Sequence, residues 1–354
     1  MREMTGRERV LVALRRQQPD RVPYLESVIE EAVGLDLLGI PRPPKTTKTQ
    51  PDDDDPVSVG AFLKSEYYRP QELAENVGLD GIGTFCFPKM ATTQQESAGR
   101  KMVSGGTIRT RADLAHIHLP DPDDPALYEP HRRFIAENRS SGRALFCFFS
   151  MGSDPVVLGM GLQAFALALY DDRSLVDELF DIYSDWSVRV AQHLNVLGFD
   201  FLWLADDIAF KTGPFVSPRV FRTLVLPRFR RVVEQVTLPW IFHSDGNVLP
   251  ILDDLLTLGM SGLHPCEPDA MDLWKLKRRY GKALCLCGGI SVDALGRGTP
   301  EQVDGLVREA IQAAAAGGGY ICGSSNSVPD YCRAENVRAM AQAIRKYGCY
   351  RSDL

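Results

Sequence analysis

Short apolar runs bounded by polar turn residues alternate along this chain with longer stretches whose apolar positions recur at helical spacing. Residues 5–17 (TGRERVLVALRRQ) carry the helical pattern behind Thr5, a residue suited to capping a helix. Residues 21–27 read as a strand ending on Glu26, 81–87 as a strand, and 101–110 as a hairpin turning over Gly105 and Gly106. Residues 143–149 (RALFCFF) form an almost wholly apolar strand, with helices near 154–170 and 174–197 behind it. Further strands are expected at 201–205, 240–242, 262–264, 283–287 and 319–322. Helices near 217–235, 248–259, 270–280, 300–315 and 333–346 alternate with them.

Apolar runs without polar alternation mark strands buried on both faces, the signature of a parallel sheet. Strand–helix alternation from Glu26 onward yields about seven or eight units, which predicts an α/β fold of the (β/α)8 barrel type with an N-terminal helical extension. A doubly wound nucleotide fold would need a Gly-rich phosphate turn after its first strand, and none stands there. Residues 1–354 read as one barrel domain. The Pro-, Lys- and Asp-rich stretch 40–58 reads as a flexible loop, its aspartates at 52–55 as a solvated turn.

In a barrel, side chains at the carboxyl ends of the strands converge on one mouth. The exits present Glu26, Asp206 with Asp207, His243 with Asp245 and Asn247, Glu267, and Cys322 with Asn326. Of the six histidines, only His243 and His264 stand at such an exit, and His243 is the first candidate for acid–base work or metal ligation. Asp206 and Asp207 join it as catalytic candidates, although either could cap a turn. Glu26, Asn247 and Asn326 are candidate substrate contacts; Asn247 could equally cap the helix that follows. A mixed metal set of His243, Asp207, Asp245, Glu267 and Cys322 is compatible with zinc. For Glu267 proton donation or helix capping stay open, and Cys322 could be a packed thiol. No HExxH motif or GxSxG elbow is present.

Composition narrows the partners. A net charge of -6, with no basic stripe interleaved with aromatics, disfavours a nucleic-acid footprint. No apolar run reaches the ~20 residues of a membrane span, and the charged N-terminus lacks a signal-peptide core, so a cytoplasmic setting is expected. The eight cysteines form no CxxC pair and read as thiols.

Several motifs together resemble the uroporphyrinogen decarboxylase superfamily: TGRERVLVALRRQQPDRVPYLE at the start, LADDIAFKTGPFVSP at 204–218, FHSDGN at 242–247, LKRRYGKALCLCGGIS at 276–291 and GGGYICGSSNSVP at 317–329. The resemblance covers nearly the whole chain and implies a (β/α)8 barrel. True decarboxylases of this superfamily carry an arginine-rich loop after the first strand, which this chain lacks; Asp80 in GLDGIG is the nearest counterpart of their catalytic aspartate. The resemblance therefore leans to the corrinoid-dependent methyltransferase branch, which implies zinc, a small methylated substrate such as a methyl ether, a corrinoid protein as partner, and a homodimer. In the branch that methylates thiols, Asp245 and Asn326 stand where cysteine ligands are expected, and Glu267 resembles an additional ligand. In the ligand spacing of the aryl methyl ether demethylases, Asp207 and His243 take the outer positions and Arg222 the central one. The alternative is a metal-independent decarboxylase or lyase acting through Asp206, Asp207 and His243 on a non-porphyrin substrate. A barrel that only binds a small molecule is a third reading.

Overall fold

The architecture follows from the all-apolar strands, which can be buried on both faces only inside a ring of helices. In the computed structural model, residues 2–43, 57–63, 65–97 and 100–350 are described. Eight strands form one sheet in chain order: β1 (Val57–Ala61), β2 (Gly81–Pro88), β3 (Ala144–Phe149), β4 (Phe201–Ala205), β5 (Trp240–His243), β6 (Gly262–His264), β7 (Cys285–Ile290) and β8 (Tyr320–Ser324). All neighbours from β2 to β8 are parallel; β1 lies antiparallel on β2. The extended segment 22–26 closes the ring. Leu25 N and Cys322 N bond to Cys322 O and Pro23 O on the β8 side, and Asp80 N bonds to Tyr24 O on the β2 side. The fold is thus the expected (β/α)8 barrel.

Two apolar layers fill it. Leu25, Phe146, Phe201, Trp203, Ile241, Cys287 and Ile321 pack inside the ring, and alternate residues face the surrounding helices. Helix α1 (Gly6–Leu14) plugs the amino end of the barrel with Val10, Ala13 and Leu14. Thr5 caps it as expected, in a reciprocal capping box with Glu8 that contributes about 1 kcal/mol.

Two local expectations fail. The hairpin pairs Thr92–Ser97 with Arg100–Gly106, so Gly105 and Gly106 end a strand rather than turn it. Gly106 is needed for close approach: a Cβ there would stand 2.2 Å from Gly159 O. The helix expected at 154–170 is two, α2 (Ser153–Met160) and α3 (Leu162–Asp171), bent by 96° about Gly161. Most of the stretch 40–58, including its aspartates, lies outside the described residues, while residues 57 and 58 begin β1. No single described helix is long and apolar enough to cross a membrane.

Candidate functional site

Two consecutive aspartates leave β4 in opposite directions. Asp206 turns back into the protein and is fully buried. Its carboxylate accepts from Ser150 Oγ at 2.9 Å, Met151 N at 2.6 Å and Asp154 N at 2.8 Å, gathering the unpaired N–H groups at the start of α2. Burial raises its pKa to about 7 despite those donors. Asp207 turns outward to the mouth. Its backbone N donates to Asp154 Oδ1, and its Oδ1 accepts from Asp245 N, both at 2.8 Å. Asp245 Oδ2 accepts from Asn326 Nδ2 at 2.5 Å. A chain of carboxylates therefore ties the loops after β3, β4, β5 and β8 together.

His243 closes the cluster. It shares the inward parity of Ile241 and pairs in register with Ala205 and His264. The phenyl ring of Phe148 lies 5.4 Å from its imidazole. Its Nε2 lies 3.7 Å from Asp207 Oδ1 and 3.8 Å from Asp245 Oδ1, too far for hydrogen bonds. Ligand atoms of Asp207, His243 and Asp245 all fall within 4.8 Å of one another.

The electrostatics of this trio are unbalanced. Burial, with the charges of Asp207 and Glu267, raises the Asp245 pKa to about 7. Burial lowers the pKa of His243 although Asp207 opposes it. Asp245 Oδ1 is buried and has no hydrogen-bond donor among the described residues. The positive side chain nearby, Lys211, is engaged by Glu267 at 3.3 Å and Asp269 at 3.1 Å. One nitrogen and two carboxylate oxygens converging around an unsatisfied oxygen suit a divalent cation. Ligands of a tetrahedral ion stand roughly 3.3 Å apart, and the 3.7 and 3.8 Å found here would close by a few tenths of an ångström on an ion. Such a set leaves a position open for substrate, and a cleft of about 270 Å³ adjoins it, lined by Lys211, Glu267, Asp269, Ser291, Asp293 and Asn326.

The remaining expected residues divide. Asn326 reaches both the trio and the cleft. Glu267 lies one step back: its Oε2 accepts from Gly246 N at 3.2 Å, and it is not part of the cation cluster. Gly246 has φ +82°, and a Cβ there would stand 2.6 Å from Phe210 O, so only glycine lets the loop turn here. Asn247 caps the chain that follows, its Oδ1 accepting from Leu249 N at 3.1 Å, which is the capping alternative offered for it. Cys322 stands apart from the cation cluster. It faces the outer helices with Tyr24 and Tyr320, and burial pushes its thiol up to about 12. Glu26 has the outward parity of Tyr24 rather than a place at the mouth; it accepts from Ser324 N at 2.9 Å and from the Ser324 hydroxyl. Arg222 pairs with Asp254 and ligates nothing. Asp154 and His264 were not foreseen as site residues. For Asp154 the sequence offers no signal beyond a polar residue after β3, whereas His264 occupies the same strand-end position as His243.

Comparisons with known proteins agree with the fold. A family model described as Uroporphyrinogen decarboxylase (URO-D) matches residues 144–347. A methylated-thiol–coenzyme M methyltransferase from Methanosarcina mazei is 27% identical over 187 residues, 52% of this chain. The match spans 48% of that protein, about half its length. A uroporphyrinogen decarboxylase from Methylococcus capsulatus is 24% identical over 257 residues, covering 68% of this chain and 70% of its own. Among solved structures, a methyltransferase from Methanosarcina mazei has a TM-score of 0.71 at 20% identity, over 98% of this chain and 99% of that one. That likeness is one of fold.

Proposed function

Because the chain belongs to the uroporphyrinogen decarboxylase (URO-D) family, we propose that its barrel mouth is a metal-assisted methyltransferase centre. The observation that carries this reading is the convergence of His243, Asp207 and Asp245 around a buried carboxylate oxygen that lacks any donor. The three side chains would hold zinc, which supplies Lewis acidity toward the heteroatom of a methylated donor. Two oxygen ligands and one imidazole make a harder site than thiolates do, so the proposed donor is a small methyl ether rather than a methylated thiol. The proposed acceptor is a Co(I) corrinoid carried by a partner protein.

The chain's own groups have separable tasks in this reading. Asn326 pins one oxygen of Asp245 and leaves the other for the cation. Asp207 Oδ1 accepts from the Asp245 backbone N–H, so the Asp207 carboxylate cannot turn away without breaking that bond. Phe148 and Trp203 keep water from the inner side of the imidazoles. Seven buried, unpaired thiols fit a reducing, cytoplasmic setting.

A decarboxylase reading has less support. Asp80 lies at the amino end of β2, away from the mouth, bound by Arg9 and Arg21. The carboxyl end of that strand carries Phe87, Pro88 and Lys89, with no carboxylate. The cleft also lacks the free arginines that a polycarboxylate would need.

The test is metal analysis of the purified protein, then absorbance changes of cob(I)alamin with candidate methyl ethers. Stoichiometric zinc is expected, with His243→Ala and Asp245→Ala each weakening binding at least about 100-fold. A folded wild-type protein that binds no divalent metal would overturn the proposal.

A further inference from the structure

His264 is absent from the cation cluster, yet it is the polar group in closest contact with His243. Its Nδ1 lies 2.7 Å from His243 Nδ1. The two ring planes differ by 26°, with centroids 4.9 Å apart, so the rings meet edge to edge. Cross-strand pairing of His243 with His264 fixes this contact through the backbone. Trp203 meets the far ring edge-on at 4.7 Å and 87°, and His264 is only 3% exposed. The pair is therefore held from three sides.

Two Nδ1 atoms at that separation share one proton, because both cannot carry one. If His264 were the donor, the His243 proton would sit on Nε2 and block the nitrogen that faces Asp207 and Asp245. If His243 is the donor, its Nε2 presents a lone pair to both carboxylates. Only the second arrangement can ligate a cation.

We propose that His264 is a positioning residue for the metal centre: its Nδ1 accepts the Nδ1–H of His243 and keeps the His243 Nε2 lone pair directed between Asp207 and Asp245. This rests on the metal-assisted reading above. The choice of acceptor has a physical rationale. Orienting partners of ligand histidines are usually carboxylates, carbonyls or water. Here Asp207 and Asp245 already cancel the charge of a divalent ion. A third carboxylate would leave the centre anionic and blunt its Lewis acidity, whereas a neutral imidazole orients the ligand without adding charge.

The test uses calorimetric titration of the full chain with Zn²⁺ and the visible spectrum of the Co²⁺-loaded protein. His264→Phe keeps a ring against Trp203 but removes the acceptor, and is expected to weaken Zn²⁺ binding about 10–100-fold and alter the Co²⁺ bands. His264→Asn offers Oδ1 near the lost Nδ1 and is expected to recover binding to within about threefold of wild type. Should His264→Phe fold poorly, ¹⁵N spectra of histidine-labelled, Zn²⁺-loaded wild type give the same answer: a protonated Nδ1 on His243 and a bare Nδ1 on His264. Zn²⁺ affinity unchanged in His264→Phe, or the reverse protonation pattern, overturns the proposal while leaving the metal centre standing. Failure of the wild type to bind Zn²⁺ overturns both.

Discussion

The two ends of the barrel use the same acidic side chains to opposite effect. At the amino end, Asp80 is 3% exposed and accepts from Arg9 at 3.0 Å, from Arg21 at 3.0 and 3.1 Å, and from Tyr24 N at 2.9 Å. Asp20 holds the other edge of the same Arg9 guanidinium. Every negative charge there has a fixed cation, so the cluster locks α1 and the segment 22–26 onto β2. At the carboxyl end, Asp207 and Asp245 face a buried histidine and each other. Asp154, held beside them, has its pKa pushed well above the ordinary value by burial and by Asp206, Asp207 and Asp245. The contrast shows that buried carboxylates do not by themselves identify a reaction centre. What distinguishes the mouth is charge left without a partner in the protein.

This difference can be broken from either side. The largest stability effect is expected at the amino end. Arg9→Ala should cost about 3 kcal/mol in urea unfolding, the low end for a broken buried pair because Arg21 still faces Asp80, and should leave Zn²⁺ affinity unchanged. A similar loss of Zn²⁺ binding in that variant would erase the distinction between the two ends.

Asp245→Asn should act in the opposite sense. The Asp245 carboxyl has a pKa of about 7 when folded, against an ordinary value of 3.8. Between those values the folded protein binds more protons than the unfolded chain, so this group's contribution to stability falls as pH rises and stays low above pH 7. Replacement by Asn removes that penalty. The metal-free variant should gain roughly 1–2 kcal/mol at pH 8 and almost nothing near pH 4, after allowance for its 35% exposed side chain. Zn²⁺ binding should be lost at the same time. A variant destabilised at pH 8 would contradict the account of the mouth as strained by unpaired charge.

The smallest change is expected at Asn247. Loss of its bond to Leu249 N in Asn247→Ala should lower stability by about 0.5–1 kcal/mol, read as a small shift in melting temperature, with metal affinity unaltered. A larger effect on affinity than on melting would instead favour Asn247 as a site residue.

Much of the barrel was legible because its strands are apolar on both faces. The runs at 144–149, 201–205 and 240–243 could serve no other element, and the polar residues that end them had to lie at a common mouth. His243, Asp207, Asp245 and Asn326 stand out as candidates in this way. Orientation was not legible. Phe148 and Phe149 are chemically alike in sequence, yet Phe148 packs beside His243 and Phe149 faces the helices. The same one-residue parity turned Cys322 away from the mouth.

The sequence by itself determined the (β/α)8 architecture, the family resemblance and the residue types gathered at the strand ends, because hydrophobic periodicity and strand exits are local properties. Only the tertiary structure decided which of those residues meet. Asp206 and Asp207 differ by a single position, and the direction of each depends on whether the waiting donors belong to the start of α2 or to the loop after β5. The pairing of His264 with His243 depends on the register of two strands whose partner histidines are 21 residues apart. Charge compensation is a property of neighbours in space, and those neighbours come from the closure of the barrel.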